Sequence, residues 1–323
     1  MKWNCCSQGL FAVLIASLTG VARAQISSYG VTKTGYYTQS SDTAPTLEVG
    51  QNHYFDAFVS PDGTVDIDSA ILQVPGGSQT EMAPLFSYFQ GFTSQSALDN
   101  SFGNGTYSFQ ISTVDLDVFF AQLGLGGTYP SIPRLSNFIA AQSIKAGNDF
   151  VLHWDPFIGG TANDFILVSI EDDAATTVFE TPYQGSAGAL TGQDASVVIP
   201  AGTFVSGTNY LCYLTFDKLV TLDTSSIPGA IGVAAYVRET SIPLKTASAG
   251  APVTVNLAGI SRQSDGSFQL QISGTVGATF TVEATSDFSS WASLVTTNPP
   301  AGSFSFTDAA AGLTQRFYRA KAN

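Results

Sequence analysis

The chain has 323 residues, of which only 11% are charged, with 25 acidic against 12 basic side chains and a formal charge of −13. An acidic, lysine-poor surface argues against nucleic acid and anionic lipid as partners, because both need basic patches. An apolar fraction of 44% is ordinary for a globular chain, and the length is enough for two or three packed cores.

Residues 1–24 read as a secretory signal. Lys2 gives a positive start, residues 9–18 (GLFAVLIASL) are apolar, and Ala22-Arg23-Ala24 is a small-x-small cleavage site. The apolar run is short of the roughly 20 residues that span a bilayer. Cleavage would remove Cys5 and Cys6 and leave Cys212 alone, so an exported chain without an internal disulfide is expected. That combination suits a large bacterial secreted or cell-surface protein.

A first module is expected over residues 25–130. Alternation marks strands at 52–59 (NHYFDAFV), 69–74 (SAILQV) and 106–111 (TYSFQI), separated by Pro61-Asp62-Gly63, Pro75-Gly76-Gly77 and Asn104-Gly105 turns. Residues 94–102 make a short helical turn at best, and periodicity leaves residues 114–123 open between strand and helix. Residues 129–134 (YPSIPR) form a stiff connector. A second module is expected over 131–247, with strands at 136–140, 150–154, 164–171, 177–180, 196–199, 210–216 and 233–244 and a long loop over 218–232. Residues 247–252 (ASAGAP) are small and flexible, and a third, shorter module follows over 253–323. The fold class is all-β: three consecutive antiparallel β-sandwiches behind a signal peptide. Helical periodicity beyond two turns is missing after residue 24, which disfavours α/β enzyme folds.

The second module resembles a fibronectin type III domain. The resemblance rests on Phe150-Val151-Leu152-His153-Trp154-Asp155-Pro156 and on Phe204-Val205-Ser206-Gly207-Thr208-Asn209-Tyr210. It implies a core Trp154, a corner locked by the Tyr210 hydroxyl on upstream backbone, and a spacer or adhesive role without an activity. The third module resembles the small immunoglobulin-like sandwich that closes many exported bacterial proteins. The carriers are residues 280–288 (FTVEATSDF), Trp291, Phe306-Thr307-Asp308 and Arg316-Phe317-Tyr318-Arg319. Taken together, the three modules are similar to exported proteins of verrucomicrobial type.

Candidate chemistry is sparse. His153 should point away from Trp154 on its strand, and His53 lies in a similar strand of another module. Neither has a second ligand at metal spacing. Asp62, Asp66 and Asp68 in a turn-rich segment form a candidate calcium loop, and a polar hairpin explains them equally. Glu171, Asp172 and Asp173 read as a strand-end loop. Cys212 alternates with Tyr210 and reads as a buried apolar residue. No Gly-x-Ser-x-Gly elbow, His-Glu-x-x-His or phosphate-binding loop occurs in the sequence. Residues 85–92 (LFSYFQGF) offer the best binding surface, with Phe86, Tyr88 and Gln90 as candidate carbohydrate contacts, or else an ordinary sandwich layer. Asn104-Gly105-Thr106 matches a glycosylation acceptor and an Asn-Gly turn alike. The expectation is a non-catalytic surface or matrix protein acting as adhesin, spacer or assembly subunit, needing no cofactor. Alternatives are a carbohydrate-binding protein using its first module, and a calcium-dependent surface-layer subunit. Surface polysaccharides or other cell-surface proteins are the expected partners.

Overall fold

The computed structural model describes residues 26–63, 66–83, 85–248, 253–309 and 315–322. The predicted signal, residues 1–24, and part of the predicted 247–252 linker lie outside the described residues. Among the described residues no helix is long and apolar enough to cross a membrane.

The chain divides into two compact units, one ending at Ser248 and one starting at Ala249. The first unit opens with β1 (Ile26–Thr38), β2 (Thr46–Leu47), β3 (His53–Pro61), β4 (Ile67–Gln73), β5 (Gln79–Glu81) and β6 (Ser87–Phe92). Helix α1 (Gln95–Ser101), β7 (Gly105–Thr113) and β8 (Val118–Leu125) follow. After a connector come β9 (Phe150–His153), β10 (Phe165–Asp172), β11 (Thr177–Glu180), β12 (Leu190–Thr191), β13 (Ser196–Ile199), β14 (Asn209–Asp223) and β15 (Ile231–Lys245).

The two modules expected over 25–130 and 131–247 are not separate sandwiches: they share one nine-stranded sheet. Its order is β11-β10-β14-β15-β1-β3-β6, with β12 added to β10 and β2 added to β1. The join is β1 against β15, a parallel pair in a sheet otherwise antiparallel along this path. Gly30 lets the two strands approach: a Cβ there would meet the Val233 carbonyl oxygen and the Phe58 ring, each at 2.7 Å. The 15-residue strands β14 and β15 are long enough to run through both halves.

Period-2 alternation sends one face of this sheet into two cores. Ala234 and Tyr236 of β15 join Tyr29, Val31, Phe55 and Ala57 in a first core, closed by the sheet β5-β4-β7-β8. Ile242 and Leu244, in the same phase of β15, join Trp154, Ile166, Cys212 and Phe216 in a second core. That core is closed by β9 and β13 and by a bridge between Leu135 and Trp154. Between the cores the connector is tied down. The Gln39 side chain accepts from the Leu135 N–H at 2.7 Å and donates to its carbonyl at 3.0 Å, imitating a strand neighbour. The Thr240 hydroxyl donates to the Pro133 carbonyl at 2.7 Å.

Two expectations change in detail. Residues 136–140 are not a strand, because the Asn137 side chain supplies the bonds a strand would make, donating to the Val151 carbonyl and accepting from the His153 N–H. The chain then turns through a short 3-10 segment, Ala140–Gln142. The long loop expected over 218–232 shrinks to residues 224–230, since a bulge between Leu219 and Thr221 keeps β14 paired to Asp223.

The second unit is a sandwich of two three-stranded sheets. Strands β16 (Val255–Arg262), β17 (Phe268–Gly274), β18 (Phe280–Thr285), β19 (Ala292–Thr297), β20 (Ser303–Asp308) and β21 (Phe317–Ala322) pair as β16-β17-β20 and β19-β18-β21. Its core is small: Leu270, Ile272, Phe280 and Val282. Arg319 and Lys321 both clamp the enclosed Glu283 carboxylate, at 2.8 and 2.7 Å. Phe288 takes a positive φ of 60° beside the Asp287 turn and packs on Phe317 at 3.9 Å.

Candidate functional site

On the inward face of the long sheet, between the two cores, the alternation carries cations where apolar residues are expected. The stripe Tyr29, Val31, Lys33, Gly35, Tyr37 puts Lys33 inward, and the stripe Ala234, Tyr236, Arg238, Thr240 does the same for Arg238. Lys33 is fully enclosed. A buried ammonium is tolerated only when paired. Here its Nζ donates to Asp99 Oδ1 at 2.9 Å and to Asn104 Oδ1 at 3.5 Å.

Asp99 is brought over the sheet by α1, which starts at an N-cap bond from the Ala97 N–H to the Ser94 hydroxyl. The Tyr129 hydroxyl donates to the same Asp99 oxygen at 2.9 Å, and Gln95 Nε2 donates to the other at 3.4 Å. The Tyr236 hydroxyl donates to Asn104 Oδ1 at 2.5 Å, while the Asn104 amide donates to the Gly127 carbonyl. Arg238 Nη2 donates to Gln95 Oε1 at 2.9 Å, and the guanidinium lies over the rings of Tyr129 and Tyr37, at 5.3 and 5.6 Å.

Gln95, Asp99, Asn104, Tyr129, Tyr236 and Arg238 line an open cleft of about 510 Å³ together with Gly127 and Thr128, and Lys33 lies enclosed behind it. Burial pushes the Tyr129 and Tyr236 hydroxyls up, reinforced by the Asp99 charge, so both remain donors. His53 is buried below, its Nδ1 2.6 Å from Asn52 Oδ1. Burial first, then the Arg238 charge, lowers its pKa, with Asp99 opposing, so its ring is neutral at pH 7. The arrangement can offer a fixed guanidinium, amide and phenol groups to a small polar molecule.

The residues singled out from sequence are placed elsewhere. Phe86 and Tyr88 pack against the first core, and Leu85 and Phe86 are in left-handed turn conformations, so the strand starts only at Ser87. The Tyr88 hydroxyl donates to Gln90 Oε1 at 2.7 Å. The outward aromatic of this segment is Phe89, 54% exposed and stacked on Tyr54 at 4.8 Å, with Tyr36 edge-on beyond it. Asp62 is half-buried and Asp66 and Asp68 are exposed. Among the described residues no three His, Cys, Asp or Glu side chains gather as a metal site. Asp172 accepts from the Ala174 and Thr176 N–H groups in a tight turn, with Glu171 before it on β10 and Asp173 exposed beside it. His153 is exposed, and Cys212 is buried with its thiol pushed up to about 12, chiefly by burial. Trp154 is buried and donates Nε1–H to the Asp194 carbonyl at 3.0 Å. Tyr210 is buried, and its hydroxyl accepts from the Val205 N–H at 2.8 Å, closing the corner.

No protein-family model matches the chain, and no curated protein sequence matches it. Solved structures do align with it. One is a tetra-tandem repeat from the extending region of a large adhesion protein, 10% identical, covering 92% of this chain and 74% of that one with a TM-score of 0.23. Another is a Ca²⁺-stabilized adhesin by which an Antarctic bacterium binds ice, 13% identical over 92% of this chain and 73% of that one, TM-score 0.29. A third is the chicken CNTN1 FN1–FN3 set, 10% identical over 91% and 93%, TM-score 0.20.

Proposed function

We propose that this is an exported, non-catalytic surface or matrix protein whose first unit serves as a stiff spacer or adhesive body. The observation behind this reading is the nine-stranded sheet that runs unbroken through two cores. A shared sheet with paired backbone on both sides leaves no hinge at the point where two ordinary tandem sandwiches would have one. Polar groups at the seam are held by one another rather than grouped as nucleophile, base and orienting residue. Beads coated with the purified chain are expected to attach to glycan- or cell-coated surfaces, and the chain in solution is expected to leave a panel of polysaccharides and esters intact. Turnover of any member of that panel would overturn the reading.

A second reading, a carbohydrate-binding protein, is favoured by the seam cleft and by the exposed Phe89–Tyr54 stack. Both lie in the first unit. Loss of attachment on Phe89→Ala, with folding intact, would support the stack as the adhesive surface.

A further inference from the structure

We infer that the seam cleft is a binding site for a small hydroxylated carboxylate, an acidic sugar, with Arg238 as the partner of its carboxylate. The inference concerns a ligand and stands whether or not the chain is a spacer.

Charge sets the class. Lys33 and Asp99 form an ion pair at 2.9 Å and cancel. Arg238 forms no ion pair with a carboxylate among the described residues, and its one protein acceptor there is the neutral Gln95 amide. The three charges sum to plus one: the Asp99 carboxylate in the cleft wall is taken up by Lys33, Tyr129 and Gln95, and the half-enclosed Arg238 guanidinium beside it is the positive group the cleft presents, in a protein whose formal charge is −13. A guanidinium has five N–H donors in a planar fork that matches a carboxylate edge. The rings of Tyr37 and Tyr129 hold that plane in place before any ligand arrives. Preorganisation of this kind lowers the entropy cost of binding.

Size and polarity set the rest. The cleft's volume of about 510 Å³ falls within the usual range for small-molecule sites, about 300–1,000 Å³. Around Arg238 stand Gln95 and Asn104, each with one amide N–H left to donate after its bond to Asp99 or Gly127, and Thr128, whose hydroxyl can donate or accept. A sugar acid supplies both halves of that pattern, one carboxylate and several hydroxyls on one small frame. A bare inorganic anion supplies only the first half, and a neutral sugar only the second.

Calorimetric titration of the full chain tests this with galacturonate, glucuronate, galactose and inorganic phosphate as separate ligands. A uronate is expected to bind at millimolar concentration or below, with galactose and phosphate at least about tenfold weaker. Arg238→Lys, which keeps the charge and loses the fork, is expected to weaken uronate binding about tenfold. Gln95→Glu places a carboxylate of the protein's own against Arg238 and is expected to abolish it. Near-ultraviolet circular dichroism checks that each variant folds, and Gln95→Glu decides alone if Arg238→Lys does not. Neither uronate binding, galactose or phosphate binding as tightly as a uronate, or a folded Gln95→Glu that binds unchanged would each overturn the assignment.

Discussion

Lys33 and Asp99 meet at 2.9 Å with the lysine wholly enclosed and the aspartate side chain about a third exposed, so the pair joins β1 to α1 across the top of the first core. Removing one partner leaves an uncompensated charge inside the protein. Asp99→Ala is expected to destabilise the first unit by about 3–5 kcal/mol in urea titrations. Lys33→Met fills the same space without a charge, is expected to cost less alone, and should rescue Asp99→Ala when combined with it. An additive double variant would count against the pair as the source of the loss.

The continuous sheet predicts that residues 131–248 do not stand alone as a fibronectin-like module. Without β1, β15 presents an unpaired edge from Ile231 to Ser241, and Ala234 and Tyr236 lose the core they enter. The fragment is expected to aggregate or to show non-cooperative melting, whereas residues 26–248 melt as a unit. A soluble, cooperatively folded 131–248 fragment would contradict this.

Tyr210→Phe tests the corner. The Val205 N–H loses the acceptor that holds it at 2.8 Å, while the ring still packs near Phe204. A loss of about 1–3 kcal/mol is expected from a polar group left without its partner. Stability unchanged in urea would remove the corner from the account of this fold.

Asp217 gives a pH dependence with a definite sign. Burial, and then the neighbouring Asp164 charge, push it up to about 7, against about 3.9 in an unfolded chain. The folded state holds the proton where the unfolded chain has lost it. The stability this contributes is present in full below pH 4 and is lost as pH rises to 7, by at most about 1.4 kcal/mol per unit. Asp217→Asn should remove that slope, so the variant gains on the natural chain between pH 4 and 7. Parallel stability curves for the two proteins would show that Asp217 is not the source.

The alternation of residues 52–59 and 150–154 made the strands and the buried Trp154 readable from sequence, because period 2 is a local property. The join between β1 and β15 was not, since its partners are some 200 residues apart and parallel pairing leaves no turn signature between them. Alternation left Phe86 and Tyr88 open between a binding surface and a sandwich layer, because it says which residues share a face, not which face is covered; both pack against the first core. The cleft did leave a trace. Lys33 and Arg238 each fall in the apolar phase of an otherwise regular strand, and a cation in that phase must find a partner or line a cavity.

The parallel pair has a mechanical consequence. Strand β1 is entered at Ile26, β15 is left at Lys245, and the two run in the same direction through eleven paired positions, from Ser28 beside Ile231 to Thr38 beside Ser241. Tension along the chain draws β1 backward and β15 forward, so the strands slide past one another instead of peeling apart. In that geometry the bonds of the ladder resist together, where a hairpin pulled open from its ends gives them up one at a time. The β1–β15 ladder therefore also carries the load of a stretched first unit, and the strands between them in sequence feel no pull until it gives way.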